Sequence, residues 1–304
     1  MIVAAREEAV NDGLVGPRVA RFFRNIEACG NPYREMRQNR SRWARDMAIE
    51  PYHGQEFLFY VGCVASFDEK VHKTAQAVGR LFLKAGVSFG ILGSQEECDG
   101  NEIHMLGESR IFDTLRDTNT AIFQKAGVRK IITLSPHSYN VLRKEYAGGL
   151  EVLHYTQVLR DLITAGRLKP ASNLNVKVTY HDPCFLGRHA NEYEAPRDIL
   201  KSVLGLELVE MERNRENSFC CGGGSGNFYT DFFGGHPTSP SRIRVREAAR
   251  TGAAILAVAC PTCTVMLGEA MKDETLEERM ALKDISEIVQ ESVFPEPPKR
   301  RQPA

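Results

Sequence analysis

Cys220-Cys221-Gly222-Gly223-Gly224 is the most informative stretch of this 304-residue sequence, because it is the centre of a five-cysteine array. Cys184 precedes the pair, and Cys260-Pro261-Thr262-Cys263 follows it. Two adjacent cysteines do not easily bind one tetrahedral ion, but they can reach two different irons of a cluster. The array therefore predicts a metal centre larger than a single zinc ion.

A damaged copy of the array lies in the first half of the chain. Aligned on their hydrophobic runs, the halves pair Cys63 with Cys184, Glu97 and Cys98 with Cys220 and Cys221, and Ser135 and Ser138 with Cys260 and Cys263. The offset between paired positions stays at about 120 residues. This indicates a duplicated domain and not a solenoid, whose repeats are about 20–50 residues long. Three ligand positions of the first copy have lost their thiol, so we expect it to keep the scaffold without the metal.

The hydrophobic pattern predicts the same alternation of strands and helices in both halves. In the first half, strands are predicted at 57–62, 87–92 and 130–134, and helices at 69–85, 111–126, from 139 onward and 155–165. In the second half, strands are predicted at 176–180, 207–211 and 254–259, and helices at 195–204, 241–251, 264–272 and 285–293. This order predicts an α/β fold of two pseudo-repeated cysteine-rich domains with mostly parallel sheets.

The domain boundaries follow from the repeat. We predict an N-terminal helical or linker segment at 1–52, a degenerate domain at 53–172, an intact domain at 173–294 and a disordered tail at 295–304. Each of the two domains is long enough for a core of its own. The tail is assigned from its prolines and basic residues.

Composition excludes several classes of partner. Lys and Arg number 39, as do Asp and Glu, so no net positive charge attracts nucleic acid. No apolar run approaches the roughly 18 residues of a transmembrane helix. The first residues do not resemble a signal peptide, and eight cysteines without one favour metal or redox chemistry over disulfides. We expect a cytoplasmic protein, or one at the cytoplasmic face of a membrane complex.

Strand positions predict where the cysteines meet. Ligands in open α/β sheets lie outside the carboxyl ends of the strands, and three loops at such ends contain the five thiols. A CxxC at a helix start, as at 260–263, brings two sulfurs close, and the helix N-terminus stabilises thiolates. Gly222 and Gly223 let backbone N–H groups approach the metal centre.

These residues resemble the cysteine-rich CCG domain of heterodisulfide-reductase-type iron–sulfur subunits. The resemblance spans nearly the whole chain as two CCG domains, the first degenerate, and it assigns the cofactor to Cys184, Cys220, Cys221, Cys260 and Cys263. It implies a 4Fe–4S cluster, because family members with intact motifs hold an unusual non-cubane 4Fe–4S cluster or a related iron–sulfur centre. It also implies either reduction of a disulfide or the relay of electrons.

The resemblance also suggests partners. The segment 30–33, followed by 40–43, is similar to the linker that joins such domains to a preceding ferredoxin module, but no CxxCxxCxxxC run precedes it here. We therefore expect redox partner subunits, which would be a ferredoxin-type protein, a flavoprotein or a membrane quinone-reactive subunit. Membrane association would then occur through such a partner.

The resulting hypothesis is an iron–sulfur oxidoreductase subunit of a heterodisulfide-reductase-like complex. It would transfer electrons through one cluster to or from a disulfide, a quinone or a partner protein. One alternative is a relay subunit without substrate chemistry of its own. The other is a scaffold in which four of the thiols bind structural zinc.

Individual polar residues near the array allow simpler interpretations. His181 is a candidate proton donor or metal ligand, although a histidine at a strand end more often binds a loop. Asp182 is interpreted as a helix N-cap and not as an acid catalyst. Cys63 and Cys98 are expected to be buried remnants, with a residual redox or metal role left open.

The N-terminal segment interleaves basic and large apolar side chains. They are Arg18, Arg21, Phe22, Phe23, Arg24, Arg34, Arg37, Arg40, Arg42 and Trp43. We interpret the segment as an amphipathic surface that docks on a partner protein, with membrane-surface attachment as an alternative.

Overall fold

A computed structural model of the chain describes residues 2–146, 148–233 and 235–294, and the predicted disordered tail at 295–304 lies outside these ranges. The α-helices in these ranges are α1 (Ile2–Asn11), α2 (Pro17–Cys29), α3 (Cys63–Phe67), α4 (Glu69–Lys84), α5 (Asn101–Met105), α6 (Ser109–Ala126), α7 (Pro136–Lys144), α8 (Tyr155–Thr164), α9 (Glu194–Ser202), α10 (Asn227–Thr230), α11 (Pro240–Arg250), α12 (Pro261–Asp273) and α13 (Ile285–Val293). Short 3-10 helices span Arg37–Ala44, Gly93–Gln95 and Arg215–Asn217.

Each half of the chain forms one four-stranded parallel sheet. The strands are β1 (Phe57–Tyr60), β2 (Phe89–Gly90), β3 (Lys130–Thr133), β4 (Glu151–His154), β5 (Val176–Tyr180), β6 (Leu206–Leu208), β7 (Ile255–Val258) and β8 (Ala281–Asp284). The sheet orders are β2-β1-β3-β4 and β6-β5-β7-β8. The identical orders confirm the predicted pair of pseudo-repeated α/β domains.

Helix α4 shows why the helices form where the pattern predicts them. The Asp68 carboxylate accepts a hydrogen bond from the backbone N–H of Lys70 and caps the first turn. Buried apolar side chains recur at helical spacing, at Val71, Ala75, Val78, Leu81 and Phe82. Burial of this face against the sheet stabilises the helix.

Strands β4 and β8 were not predicted from the sequence. Each is a four-residue edge strand, and a helix begins at the next residue without an intervening turn. Their sequences, Glu-Val-Leu-His and Ala-Leu-Lys-Asp, contain only one β-branched residue between them. Because no turn residue or clear alternation marks them, periodicity alone cannot separate them from the following helix.

Each half has a buried cluster made almost wholly of its own residues, and a third cluster is shared by the two halves. One cluster of buried side chains includes Phe59 and Ile132 of the first sheet and Val178 and Ala257 of the second. Helix α8 of the first half packs on α9 of the second, and α13 of the second half packs on α4 of the first. The last helix of each repeat therefore packs against a helix of the other repeat, and these contacts join the two halves.

The apolar side chains of the N-terminal segment pack inside the chain. Phe22 stacks on Tyr229 with ring centroids 4.9 Å apart, and Phe23 and Trp43 are buried as well. The prediction that this segment docks on a partner is therefore wrong for its apolar face, because the chain's own core already covers it. Within the described ranges, every helix is too short or too polar to span a bilayer.

A buried aspartate joins the two halves and makes stability depend on pH. Asp284 caps α13 and accepts a 2.8 Å hydrogen bond from the Tyr155 hydroxyl at the start of α8. Burial raises the pKa of Asp284 to about 7, although bonds from Ser286 and Tyr155 oppose the rise. Since its pKa in the unfolded chain is about 3.9, the protonated form favours folding, and that stability is lost as the pH rises to about 7.

We predict that Asp284→Asn removes this dependence. Between about pH 4 and pH 7, the wild-type free energy of unfolding should fall relative to the variant by roughly 1.4 kcal/mol per pH unit, because asparagine does not titrate. Urea unfolding at several pH values measures the difference. Asp46→Asn, at an exposed position, is the control and should follow the wild type. Parallel pH profiles for Asp284→Asn and wild type would contradict the prediction.

Candidate functional site

The five cysteines of the second half meet at one edge of its sheet. Cys184 follows β5 and Cys260 follows β7, its neighbour in the sheet, while the Cys220-Cys221 loop follows β6 on the other side of β5. The chain therefore runs from β5 to β6 on one side and then back past β5 to β7 on the other side. This change of direction creates a crevice at the carboxyl ends of the strands. Three loops that are distant in sequence open into this crevice.

The sulfur atoms form a continuous series of contacts. The Sγ atoms of Cys184 and Cys220 are 3.8 Å apart, and those of Cys221 and Cys263 are 3.4 Å apart. Hydrogen bonds between side chains also join Cys220 to Cys221 and Cys260 to Cys263. All five sulfurs that the sequence singled out are therefore brought together, and Cys221, Cys260 and Cys263 are buried.

The thiols differ in their tendency to ionise. Hydrogen bonds from Cys184 and Cys221 lower the pKa of Cys220, and the N–H of Gly222 lowers it further. The same contacts, together with burial, raise the pKa of Cys184 and Cys221 well above the usual value. Neighbouring thiolates repel one another, so without a counter-charge only some of the sulfurs can ionise. A metal centre would supply that positive charge.

The glycine turn places backbone against sulfur. Gly222 has a φ of 82°, which favours glycine, and its N–H donates a 3.2 Å hydrogen bond to Cys220 Sγ. A Cβ atom on Gly223 would lie only 2.7 Å from Cγ2 of Thr262 and 2.9 Å from Cγ of Met266. Glycine is thus required where this turn packs against helix α12.

Asp182 fixes the loop that precedes the cysteine pair. Its two carboxylate oxygens accept hydrogen bonds of 2.7 and 2.9 Å from the buried Arg197 guanidinium. One of them also accepts a 2.9 Å bond from the backbone N–H of Arg215. The interpretation of Asp182 as an N-cap is wrong, because helix α9 begins only at Glu194 and the carboxylate is used by a buried cation.

His181 lies among the sulfurs. A ring nitrogen of His181 lies within 4.8 Å of Sγ of both Cys221 and Cys263. Its Nδ1 accepts a 3.0 Å hydrogen bond from Nε of the buried Arg244, so the proton of the neutral ring is on Nε2. Burial and the Arg244 charge lower the pKa of His181 to about 3. Among the described residues, no group accepts a hydrogen bond from the buried Nε2–H of His181. This N–H is therefore a donor that could bind a sulfur-rich group.

The first half of the chain contributes a histidine to this site. His137 forms a side-chain hydrogen bond with Cys260, and its Nδ1 lies 2.5 Å from Oε1 of Glu102. Burial opposes protonation of His137, but Glu102 and Cys260 outweigh it and raise the pKa of His137 well above its usual value. Burial likewise raises the pKa of Cys260, but bonds from Cys263 and His137 lower it to about 5.

His137 and Glu102 were missed by the sequence analysis. The alignment of the repeats puts His137 opposite Thr262, between the two serines that replace cysteines, and that position was the available signal. Glu102 also accepts a hydrogen bond from the N–H of Gly226, 124 residues away in the sequence. No local pattern indicates that contact.

The amino-acid sequence matches one protein family twice. The family is described as CCG, a cysteine-rich domain, and the matched residues are 57–143 and 178–268. This chain belongs to the CCG family. Each match covers three of the four strands of one sheet and ends before β4 or β8, and the first CCG domain is the one that has lost three thiols.

Several relatives with assigned names are similar to this CCG protein. The "Probable iron-sulfur-binding oxidoreductase FadF" of Bacillus subtilis is 36% identical over 298 residues, which are 94% of this chain and 42% of that protein. The "EtfAB:quinone oxidoreductase" of Syntrophomonas wolfei is 35% identical over 283 residues, or 88% of this chain and 40% of that protein. The chain thus spans about two fifths of the length of these two relatives.

A third relative is matched over most of its length. It is a subunit of the dihydromethanophenazine:CoB–CoM heterodisulfide reductase of Methanosarcina barkeri, and it is 31% identical over 305 residues. The alignment covers 95% of this chain and 72% of that relative. Homology to this reductase agrees with the family that the cysteine pattern suggested.

The equivalent site in the first CCG domain is different in composition. Cys63 and Cys98 line a cavity of about 40 Å³, together with Ser135 and Ser138. The wall of this cavity continues to the 261–262 segment between the last two cysteines of the second CCG domain. Cys63 is buried, as expected, whereas Cys98 is only half-buried.

We predict that Gly223→Ala distorts the cysteine site of the second CCG domain. The added methyl group would overlap Thr262 and Met266, so the free energy of unfolding should fall by about 1–3 kcal/mol. Chemical denaturation measures the change. Gly268→Ala on α12 is the control, because its Cβ would make only an ordinary 3.4 Å contact with Leu282. Equal stability of the two variants would contradict the proposed packing of the turn.

Proposed function

We propose that this chain is an iron–sulfur oxidoreductase subunit that transfers electrons through one cluster in its second CCG domain. The proposed ligands are Cys184, Cys220, Cys221, Cys260 and Cys263. The observation that supports this most directly is the convergence of five sulfurs from three loops at the carboxyl ends of β5, β6 and β7. Family membership and the iron–sulfur and heterodisulfide reductase names of the relatives support the same conclusion.

The residues around the sulfurs fit an iron–sulfur group better than a single ion. Five thiols exceed the four ligands of a structural zinc site. A 4Fe–4S cluster, proposed to be of the non-cubane type, would exchange single electrons when bound. The N–H groups of Gly222 and His181 provide hydrogen-bond donors for sulfur, and such donors adjust reduction potential.

Buried positive charge supports an anionic group at this position. Arg244 is fully buried beside His181, and the carboxylate that pairs with it is that of Glu247 at 2.9 Å. His137 reaches Cys260 from the first CCG domain, where Glu102 keeps the imidazole oriented. These residues hold charge and exclude water around thiolates, which stabilises a charged group more strongly than a solvent-exposed site would.

We infer the route of the electrons from how deeply each of the five cysteines is buried. Cys184 and Cys220 are half-buried, whereas the other three cysteines are buried, so electrons would enter or leave beside the first pair.

The relatives suggest which partners to test. One is named for EtfAB and quinone, and another for heterodisulfide reductase. By analogy, we propose that this chain exchanges electrons with a flavoprotein and with a ferredoxin-type or membrane quinone-reactive subunit. The cytoplasmic location stays a prediction.

The proposal predicts iron and acid-labile sulfide in anaerobically purified protein. Cys221→Ser and Cys263→Ser should each lose most of the iron, because both sulfurs lie in the buried centre of the site. Elemental analysis and visible absorption measure the loss. Cys29→Ser is the matched control, since Cys29 lies outside both arrays, and it should keep the wild-type iron content.

The same analysis separates the alternatives. Stoichiometric zinc without labile sulfide would reject the electron-transfer proposal in favour of a zinc scaffold. Iron and sulfide that persist in Cys221→Ser and Cys263→Ser would reject this site as the binding position.

His181 should adjust the potential of the bound cluster. Replacing it by phenylalanine removes the Nε2–H donor, so we expect a more negative midpoint potential, because hydrogen bonds to sulfur stabilise the reduced state. His181→Gln retains an N–H donor and should shift the potential less. Redox titration followed by electron paramagnetic resonance measures both variants. Identical potentials in all three proteins would exclude this role.

A further inference from the structure

The first CCG domain contains a cysteine pair that the proposed cluster does not use. Cys63 begins α3 after β1, and Cys98 lies in the loop that corresponds to the Cys220-Cys221 turn. The remaining ligand positions are occupied by Glu97 and the two serines at 135 and 138. Two thiols are too few for an equivalent cluster, yet the fold still holds them against each other, because Cys98 hydrogen-bonds Cys63.

A buried arginine acts on only one of the two thiols. Arg40 is 3% exposed, and its Nη2 donates a hydrogen bond to Cys63 Sγ at 3.4 Å. Its Nη1 binds Glu96 at 2.9 Å, and its guanidinium lies over the Phe67 ring, 5.1 Å from the ring centroid. Glu96 in turn accepts from two backbone N–H groups at 61–62. The cation is thus fixed beside Cys63.

The two thiols are consequently unequal. The bond from Cys98 lowers the pKa of Cys63, and Arg40 lowers it further, against the effects of burial and of Asp99. The bond with Cys63 raises the pKa of Cys98 well above the usual value, as does burial. A stabilised thiolate beside a protonated thiol is the arrangement of an attacking cysteine and its resolving partner.

The loop that contains Cys98 is anchored on both sides. The Cys98 N–H donates to the carbonyl of Gly30 at 3.1 Å, and the Cys98 carbonyl accepts from Asn119 at 2.9 Å. The Tyr60 hydroxyl binds the preceding carbonyl, that of Glu97, at 2.6 Å. These contacts hold the resolving thiol close to the attacking one, so little chain movement is needed for a bond between them.

A cavity of suitable size is lined by both cysteines. Its volume of about 40 Å³ is lined by Cys63, Cys98, Asp99 and Ser138, the last two of which hydrogen-bond each other at 2.6 Å. Since one water occupies roughly 10–15 Å³ on this measure, the cavity admits a molecule the size of hydrogen peroxide and excludes bulky disulfides.

We propose that Cys63 and Cys98 form a reversible redox pair, in which the Cys63 thiolate reacts with hydrogen peroxide and Cys98 resolves the product as a disulfide. The Cys63 sulfur attacks one peroxide oxygen, the O–O bond breaks, and Cys63 becomes a sulfenic acid. The Cys98 sulfur then attacks Cys63, forms the S–S bond and releases water. In total, the two thiols lose two electrons and two protons, and hydrogen peroxide becomes two waters. A dithiol reductant reverses the change by thiol–disulfide exchange.

This pair lies next to the proposed cluster without sharing its ligands. The cavity wall includes Pro261 and Thr262, which stand between Cys260 and Cys263. Oxidation of Cys63 and Cys98 would therefore change the surroundings of the proposed cluster in the second CCG domain.

The first test uses the full chain, purified anaerobically and treated with hydrogen peroxide at a low molar ratio. Free thiols are then alkylated, and the digested protein is mapped by mass spectrometry. We expect a peptide that links Cys63 to Cys98, formed before Cys29 is modified and lost after dithiothreitol. If Cys63 remains free at peroxide levels that already oxidise Cys29, the proposal is rejected.

Variants separate the roles of the two cysteines and of Arg40. Cys98→Ser should stop at a sulfenic acid on Cys63, which dimedone traps. Arg40→Gln should slow the reaction by about three- to fourfold for each unit by which the pKa of Cys63 rises above the working pH, because the thiolate fraction falls tenfold while the intrinsic nucleophilicity of the thiolate increases. Arg37→Gln is the matched control, because Arg37 is more exposed and pairs with Glu97 instead of a thiol. Equal rates in both arginine variants would exclude thiolate stabilisation by Arg40.

Failure of this proposal is distinguishable from failure of the cluster proposal. Iron and labile sulfide are measured in the same samples, and Cys63→Ser should keep both while losing the linked peptide. A protein without iron that still forms the Cys63–Cys98 peptide would support the redox pair and reject only the cluster. If a variant does not fold, the wild-type peptide map still decides the result.

Discussion

The parallel pairing of β5 with β6 on one side and β7 on the other is the constraint on which the site depends. Parallel strands end at the same edge of a sheet, so the loops after all three strands must meet there. Cys184, Cys220-Cys221 and the 260–263 segment belong to those loops. The sulfur contacts of 3.4 and 3.8 Å therefore result from the topology of the sheet and not from proximity in the sequence.

Buried cations hold these loops in place. Arg197 binds Asp182 with both ends of its guanidinium, and Arg244 supports His181. In the first CCG domain, Arg40 binds Glu96 in the same way beside Cys63. Removing one partner of such a buried pair typically costs about 3–5 kcal/mol, because the other charge stays uncompensated. The strand ends and the loops that follow them are thus coupled, which is necessary where sulfur positions must be accurate to fractions of an ångström.

Duplication gave the chain two equivalent sites, and substitution gave them different chemistry. The second CCG domain has five sulfurs, with hydrogen-bond donors and buried cations around them. The first retains only Cys63 and Cys98, and Arg40 acts on one of them. The shared core and the crossing helices α8 and α13 keep both sites in one body, so His137 of the first domain can complete the surroundings of Cys260 in the second.

The duplication, the five-cysteine array and most of the strands and helices could be inferred from the amino-acid sequence alone, because residue identity, spacing and hydrophobic period are local properties. The short edge strands β4 and β8 escaped because four residues give too little periodicity. It is only in the folded chain that Phe22 is buried, that Asp182 binds Arg197, and that His137 and Glu102 reach the second domain. Those positions depend on contacts between residues far apart in the chain, which form only when the two sheets pack together.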